Sequence, residues 1–274
     1  MFKIIIMALL IFIGMVGYDS ITDKAQPTTP VQQEQQKVSK HEKSAAIALF
    51  TSLLPPKEEW PSPVHKFYLA FNMDEVIDPI RQNPNWTNLD AMSRDIPQAL
   101  IAIEDHAFYN HGAIAVEGIL RAALANINAG EVVQSGSTLT QQFVKNVFLS
   151  HEQSMERKIE EAVLSLMLED NYSKDEILEL YLNTTYFGAG STGIKQASRT
   201  YFGKAPSALT LAEAAVIASL PYAPTSLNPL ENPEGCKKRQ LLVLAAMHKY
   251  GMINQGQLAE AKAEKIRLTN GTVM

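Results

Sequence analysis

The sequence has few of the residues that build covalent or metal-bound frameworks. Its 274 residues include one cysteine, Cys236, so no disulfide can form within the chain. Zinc-type spacings of cysteine and histidine are absent as well. The fold must therefore depend on a hydrophobic core, for which a composition of 46% hydrophobic and 19% charged residues provides enough material.

The chain also lacks an excess of positive charge. Its net charge of −5 excludes a generally basic surface, so no nucleic-acid partner is expected, and any anion must be bound by local groups of Lys and Arg. A nucleotide fingerprint is missing too, because Gly188, Gly190 and Gly193 have no strand-turn-helix context around them. These glycines predict a tight irregular loop, and no organic cofactor is expected.

Long apolar runs are scarce apart from one at the N-terminus, from Ile4 to about Gly17, with Lys3 before it. The run is shorter than the roughly 20 residues of a full membrane span, and no clear cleavage site follows it. We favour an uncleaved membrane anchor over residues 1–18, with a signal-like segment as the alternative. Residues 19–63 are predicted to be a polar tether with a short apolar segment.

From residue 64 onward the pattern is mostly helical. Four helix starts carry a capping residue, and in three of them a Glu or Gln follows three positions later: Ser173 with Glu176, Thr210 with Glu213, Asn254 with Gln257, and Asn232 before Pro233. Strand signals are sparse, with no Asn-Gly or Asp-Gly hairpin between alternating runs, and there is no internal repeat. The sequence predicts a mainly α domain over residues 64–270.

The stretch IEDHAFYNH places two acids, Glu104 and Asp105, directly after an apolar turn. A carboxylate beside apolar surface loses hydration, which raises its pKa and makes it usable as a general base or acid. Adjacent helix residues point about 100° apart, so one acid is expected to face a cleft while the other braces the backbone. The alternative is that both are solvated charges at a helix end.

Two further segments carry polar and basic residues. The first, SGSTLTQQFVKN, is dense in hydroxyls and amides and contains Lys145, which suits a sugar or phosphate ligand, although polar helix starts are common. The second, MERKIEE, contains Arg157, Lys158 and Glu161 at helical spacing. Alone it would be a surface ladder of ion pairs, but with Lys145 its cations could hold a diphosphate.

In order along the chain, these motifs resemble those of the peptidoglycan glycosyltransferase family, in its monofunctional form. The matching motifs are EDHAFYNH, GSTLTQQFVKN, RKIEE, ILELYLNTTYFG, TYFGKAPSALTLAEAAVIASLPYAP and NPEGCKKRQLLVL, over roughly residues 86–268. The resemblance implies a lysozyme-like, two-lobed helical domain behind the N-terminal membrane anchor. It also implies a membrane-dipping jaw near residues 113–134.

The implied reaction is the polymerisation of lipid II by inverting transfer to the 4-hydroxyl of the acceptor GlcNAc, with release of polyprenyl diphosphate. By resemblance, Glu104 is the catalytic base and Glu161 a second essential carboxylate. The resemblance assigns substrate binding to six further residues: Ser137, Gln141, Lys145, Asn146, Arg157 and Lys158. Glu161 is also where a divalent metal ion, Mg or Mn, would be held.

The implied partners are lipid II, the growing glycan strand, the membrane and a transpeptidase penicillin-binding protein. The implied location is the cytoplasmic membrane, single-pass, with the catalytic domain on its periplasmic face. Two departures stand out: Ala113 occupies a usual glycine position, and Gln153 a usual arginine position. The alternatives are a lysozyme-like hydrolase or lytic transglycosylase, and a low-activity paralogue that binds lipid II.

Overall fold

The computed structural model describes residues 68–69, 71–119, 127, 136–149 and 154–274. The predicted anchor over 1–18 and the tether over 19–63 lie outside the described residues, as do Gln153 and most of the predicted jaw near residues 113–134. Packing divides the chain into two compact units, Met1–Asp78 and Pro79–Met274. Every candidate site residue belongs to the second unit.

The described part of the chain is mainly α-helical, as the sequence predicts. Its α-helices are α1 Asp74–Arg81, α2 Asp95–Glu104, α3 Leu139–Phe148, α4 Met155–Asn171, α5 Lys174–Thr184, α6 Ile194–Phe202, α7 Leu211–Ser219, α8 Pro233–Lys249 and α9 Gln255–Ala263. Short 3₁₀ turns occur at Leu89–Ala91, Phe108–Asn110 and Pro206–Ala208. No helix among these residues is both long and apolar enough to cross a bilayer.

Extended pairing within the described residues is limited to two isolated antiparallel bridges, Tyr186 with Thr192 and Arg267 with Val273. The second bridge closes over Asn270 and Gly271, where Gly271 has a φ of 86°. The prediction that no Asn-Gly hairpin joins extended segments was therefore wrong at the C-terminus, where Asn270 and Gly271 form such a turn. The alternating segments on either side are too short to stand out by periodicity.

One group of packed helices forms the core beside the candidate base. Helices α2, α7 and α8 contact one another, and α7 lies at their centre. All eight residues of α7 from Ala212 to Ser219 are buried, which is the pattern of a helix enclosed on every side. Its four alanines allow the neighbouring helices to approach closely. The C-terminal end of α2, which carries Glu104, is thereby held in a rigid frame.

A second group of helices provides the other wall of the site. Helix α3 packs against both α4 and α5. Its start is fixed by a capping box, in which the Thr138 side chain accepts a hydrogen bond from the backbone N–H of Gln141 and the Gln141 side chain accepts one from Thr138. In this box, as in those predicted at Ser173, Thr210 and Asn254, a polar capping residue is followed three positions later by Glu or Gln. The structure confirms all three predicted boxes.

The glycine-rich loop after α5 is irregular, as predicted. Gly188 and Gly193 have φ values of 87° and 84°. A Cβ at Gly188 would lie 2.3 Å from the carbonyl oxygen of Pro224, and one at Gly193 would lie 2.6 Å from that of Asn183. The loop can therefore approach its neighbours only because these residues lack side chains.

Candidate active site

Glu104 is the last residue of α2 and lies where the two helix groups meet. Asp105 leaves the helix with a φ of −157° and a ψ of 70°, so the two neighbouring acids point in different directions. The Glu104 side chain is half-buried. The expectation that one acid faces the site and the other braces the backbone agrees with this geometry.

A hydrogen-bonded relay sets the orientation of the Glu104 carboxyl. Gln142 Nε2 on α3 donates to Glu104 Oε2 at 3.0 Å. The hydroxyl of Tyr181 on α5 donates to Gln142 Oε1 at 3.0 Å, so the Gln142 amide can turn only its NH₂ group toward the carboxyl. Tyr181 is 1% exposed. A buried tyrosine thus orients the amide, and the amide orients the carboxyl.

The electrostatic surroundings of Glu104 combine burial with two cations. Burial raises the pKa of the Glu104 carboxyl and is the largest influence on it. The Gln142 hydrogen bond and the positive charges of Arg239 and Lys145 act in the opposite direction, while Asp105 adds to the rise in pKa. The carboxyl is therefore a stronger base than an ordinary glutamate, yet it lies beside positive charge.

Asp105 braces the loop that follows the carboxyl. Its Oδ1 lies 2.6 Å from His111 Nε2, and its Oδ2 accepts a hydrogen bond from the backbone N–H of Leu139 at 3.0 Å. The Thr138 hydroxyl donates to the carbonyl oxygen of Ala113 at 2.7 Å. These bonds tie residues 105–113 to the start of α3, so Asp105 is the acid that braces the backbone, with His111 as its partner.

Phe108 anchors the same loop from the other side. Its ring is fully buried, and the Lys174 ammonium lies 4.4 Å from the ring centroid. Lys174 also pairs with Glu169 at 2.7 Å, and Glu169 accepts a hydrogen bond from the Thr140 hydroxyl at 2.7 Å. The loop behind Glu104 is therefore fixed to α3, α4 and α5 together.

Both ring nitrogens of His111 face acceptors. Nε2 lies 2.6 Å from Asp105 Oδ1, and Nδ1 lies 2.6 Å from the carbonyl oxygen of Gly112. Only the imidazolium form can donate to both. The hydrogen bond to Asp105 accordingly raises the pKa of His111, against the opposing effects of burial and of Lys174.

This raised pKa predicts a pH-dependent contribution of His111 to folding stability. The contribution is fully present below the unfolded-state pKa of about 6.5 and is lost as pH rises through the folded-state pKa. We expect His111→Asn to cost about 1.5–3 kcal/mol at pH 6, the scale of a charged hydrogen bond, and clearly less at pH 9. Urea unfolding of both proteins at the two pH values measures this, and an equal cost at both would contradict a charged His111.

A second cluster surrounds Glu161 on α4. The carboxylate is 2% exposed, contacts the Lys158 ammonium and lies 4.0 Å from Arg157 Nη1. Lys158 also donates to the Ser137 hydroxyl at 3.2 Å. The Nε atom of Arg157 is buried and has no hydrogen-bond partner. Glu161 thus lies against two cations, one of which, Lys158, contacts the loop that leads into α3.

The two clusters meet at the start of α3. Ser137 contacts the Glu161 cluster, and two residues later the Leu139 N–H contacts Asp105, the neighbour of Glu104. Along α3, Gln142, Lys145 and Asn146 share one face, because residues three and four apart on a helix are neighbours. Lys145 and Asn146 are exposed on that face. The structure therefore brings most of the predicted residues to one region.

Gln141 is the exception. Its side chain is 2% exposed and belongs to the capping box with Thr138, where its Oε1 accepts from the Thr138 N–H at 3.1 Å. The prediction that Gln141 lines the substrate cleft is corrected accordingly, because a side chain enclosed in a helix cap has no face left for a ligand. The next residue, Gln142, takes the position beside Glu104.

Sequence reasoning also missed Arg239 on α8. Its guanidinium carbon lies 4.1 Å from the ring centroid of Tyr222, and its charge lowers the pKa of Glu104. Neither Arg239 nor Lys145 forms an ion pair with a described residue. Arg239 lies within one of the matching motifs, but its closeness to Glu104 depends on packing between distant segments.

A divalent ion at Glu161 was also expected. Among the described residues, no group of three or more His, Cys, Asp or Glu side chains is arranged to hold a metal. The Glu161 carboxylate already faces Lys158 and Arg157. This arrangement does not fit a resident ion, so we derive no reaction step through a metal, and the metal stays a prediction.

Comparisons with known proteins agree on one family. A family model described as Transglycosylase matches residues 73–248. A Cupriavidus necator protein that is named as a transglycosylase is 40% identical over 194 residues, covering 71% of this chain and 84% of its own. Residues 73–248, which the family model matches, contain all residues of both clusters.

Two penicillin-binding proteins, each much longer than the region that they share with this chain, also match it. Penicillin-binding protein 1A of Neisseria flavescens is 44% identical over 185 residues, which is 68% of this chain and 23% of that protein. Penicillin-binding protein 1A of Aquifex aeolicus is 43% identical over 176 residues, or 64% of this chain and 24% of its own. This chain thus spans about a quarter of the length of these penicillin-binding proteins.

Proposed function

Because this chain belongs to the transglycosylase family of peptidoglycan glycosyltransferases, we propose that it polymerises lipid II into glycan strands. One observation carries this proposal. A carboxyl made more basic by burial, Glu104, lies in the field of two cations, Lys145 and Arg239, that have no acidic partner among the described residues. Displacing a sugar from a diphosphate needs both a base and unpaired positive charge.

The proposed step is a single displacement. Glu104 accepts the proton of the 4-hydroxyl of the acceptor GlcNAc, and that oxygen forms a bond to C1 of the donor MurNAc. The bond from C1 to the phosphate oxygen breaks, and the diphosphate keeps the electron pair. Because the donor sugar is α-linked, the new glycosidic bond is β. Gln142 and Tyr181 support this step by holding the carboxyl in one orientation.

The leaving group explains why one carboxyl is sufficient. A diphosphate departs as an anion and needs no proton from a second acid, unlike the leaving groups of ordinary glycoside hydrolysis. It needs fixed positive charge where negative charge develops. We assign the stabilisation of this negative charge to four cations: Lys145 and Arg239 beside Glu104, and Lys158 and Arg157 around Glu161. Ser137 and Asn146 are assigned to hydrogen bonds with the sugars or phosphates.

The lipid part of the substrate places the reaction at a membrane surface. Three apolar side chains in the predicted jaw region are exposed, with Val116 at 65%, Ile119 at 45% and Ile127 at 75%. Exposed apolar side chains grouped in one segment are typical of membrane or protein contact sites. We infer that this segment enters the bilayer surface, and that the chain acts at the periplasmic face of the cytoplasmic membrane, anchored by residues 1–18.

We also propose a transpeptidase partner. The penicillin-binding protein relatives are several times longer than the region they share with this chain. The glycan strand that we propose as the product is the material that a transpeptidase cross-links. A transpeptidase penicillin-binding protein is the class of partner that this product requires.

Labelled lipid II tests the proposed function. We expect the protein to convert it into a ladder of longer glycan strands, resolved by gel electrophoresis, with release of the lipid diphosphate. A preparation that shortens existing glycan and makes no polymer would instead be a hydrolase or lytic transglycosylase. A preparation that binds lipid II without converting it would be the low-activity paralogue. Parallel reactions with EDTA and with added Mg²⁺ or Mn²⁺ test the metal.

A further inference from the structure

Tyr222 is an unusually exposed aromatic residue beside the proposed site. It lies in the turn that follows α7, where the Ala223 N–H donates to the Leu220 carbonyl oxygen at 3.0 Å. The loop is held further along, where Asn232 Nδ2 donates to the carbonyl oxygen of Ser226 at 2.8 Å. Tyr222 is 61% exposed, so burial of its ring does not explain why it is there.

The ring of Tyr222 has a defined contact with Arg239. The guanidinium carbon lies 4.1 Å from the ring centroid, which is the distance of a stacked cation–π pair. Arg239 Nε is buried and has no hydrogen-bond partner, and no described carboxylate pairs with the guanidinium. Among the described residues, the Tyr222 ring is therefore the contact that sets the plane of this guanidinium.

Stacking of this kind leaves the edges of a guanidinium available. An arginine donates its hydrogen bonds within the guanidinium plane, and two parallel donors suit a phosphate or carboxylate. A ring that covers one face restricts the rotation of the plane without using any donor. From this position the positive charge of Arg239 lowers the pKa of Glu104.

We propose that Tyr222 is a positioning residue, which holds the Arg239 guanidinium so that its in-plane donors face the departing diphosphate. The inference rests on the proposed function, because it gives Arg239 a phosphate to bind. Tyr222 itself forms no bond to the reacting atoms. Its effect should therefore pass through Arg239 and vanish when Arg239 is removed.

A double-mutant cycle with lipid II tests this. We expect Tyr222→Ala to lower kcat/KM about 3- to 10-fold, the range of a cation–π contact, and Tyr222→Phe, which keeps the ring, to stay within about twofold of the parent. In an Arg239→Ala background, Tyr222→Ala should have no further effect. Tyr186→Ala removes another exposed tyrosine, 45% exposed, and serves as the control.

The pH dependence gives a second readout that a merely structural role would not change. The charged groups that act on Glu104 are Arg239, Lys145 and Asp105, and Tyr181 lies close to it as well. If Tyr222→Ala lets Arg239 move away, the lowering effect of that cation weakens and the acidic limb of kcat/KM moves to higher pH. Lys145 and Asp105 are unchanged in this variant, so the shift reports on Arg239.

The outcomes are distinct. The positioning role would be overturned if the losses in kcat/KM caused by Tyr222→Ala and Arg239→Ala multiplied in the double variant. It would also be overturned if Tyr222→Phe were as slow as Tyr222→Ala, or if the acidic limb of the pH profile did not move in Tyr222→Ala. If the parent protein makes no polymer, the proposed function fails instead. If Glu104→Gln is as active as the parent, Glu104 is not the base. A parent that polymerises lipid II with an essential Glu104 but tolerates Tyr222→Ala would remove this inference alone.

Discussion

Glu104→Gln is expected to lower the rate of lipid II polymerisation about 10³-fold, the scale of general-base catalysis, while the protein stays folded. An amide has almost the same shape as the carboxyl and can still accept the hydrogen bond from Gln142, but it cannot take a proton. Polymer formation by purified parent and variant, measured under single-turnover conditions, gives the ratio directly.

The melting temperature of the same variant provides its control. Because burial raises the pKa of Glu104, the ionised carboxyl is disfavoured in the folded state, so its removal should leave the melting temperature unchanged or slightly higher. Glu260→Gln, an exposed charge change on α9, should leave both rate and stability unchanged. A Glu104→Gln variant that keeps the parent rate would show that another group is the base.

Glu161→Gln is expected to reduce kcat/KM about 10²-fold through a different route. The buried carboxylate holds Lys158 and Arg157, and without its charge the two cations lose the group that fixes them. We also expect a loss of about 1–3 kcal/mol in the free energy of unfolding, less than for a fully buried pair because the Lys158 side chain is 46% exposed. Steady-state kinetics and urea unfolding measure the two effects.

Glu161→Asp is the matched variant for that prediction. It keeps the charge but shortens the side chain, so it should retain more activity and more stability than Glu161→Gln. If Glu161→Gln loses stability but keeps its kcat/KM, Glu161 only supports the fold. If adding Mg²⁺ or Mn²⁺ raises the parent rate and has no effect on Glu161→Gln, the carboxylate holds a metal in the working complex, and the role assigned to the cations alone would be wrong.

Features that depend on neighbouring residues could be predicted from the sequence. A capping box needs only one polar side chain and a partner three residues later, so the capping boxes at Ser173, Thr210 and Asn254 could be predicted. The same pattern, Thr138 with Gln141, was present but was interpreted as part of a polar ligand-binding segment. The capping rule, applied there as well, would have assigned Gln141 to the cap and pointed to Gln142.

Features that depend on packing between distant segments could not be predicted. The relay from Tyr181 through Gln142 to Glu104 joins three helices, and no sequence spacing reveals it. The buried hydroxyl of Tyr181 contacts the Gln142 amide, which in turn contacts Glu104. Arg239 reaches the surroundings of Glu104 only because α8 packs against α2, across more than a hundred residues of chain.

Burial and positive charge at Glu104 have opposite effects on its pKa, and both are useful to the proposed reaction. Burial makes the carboxyl a better proton acceptor, whereas Lys145 and Arg239 limit the rise in pKa. The same cations are available for a diphosphate because the described residues offer them no carboxylate in ion-pair contact. A negatively charged substrate would provide the anionic partner that these two cations lack among the described residues.

The most direct test of Glu104 as the base is the pH dependence of kcat/KM for lipid II, measured for the parent and for the residual activity of Glu104→Gln. The parent rate should fall about tenfold per pH unit below one pKa that lies above the ordinary glutamate value of about 4.3, because burial raises the pKa of Glu104. The residual rate of the variant should lack this limb. The same limb in Glu104→Gln, or a parent limb at or below the ordinary glutamate value, would contradict the assignment.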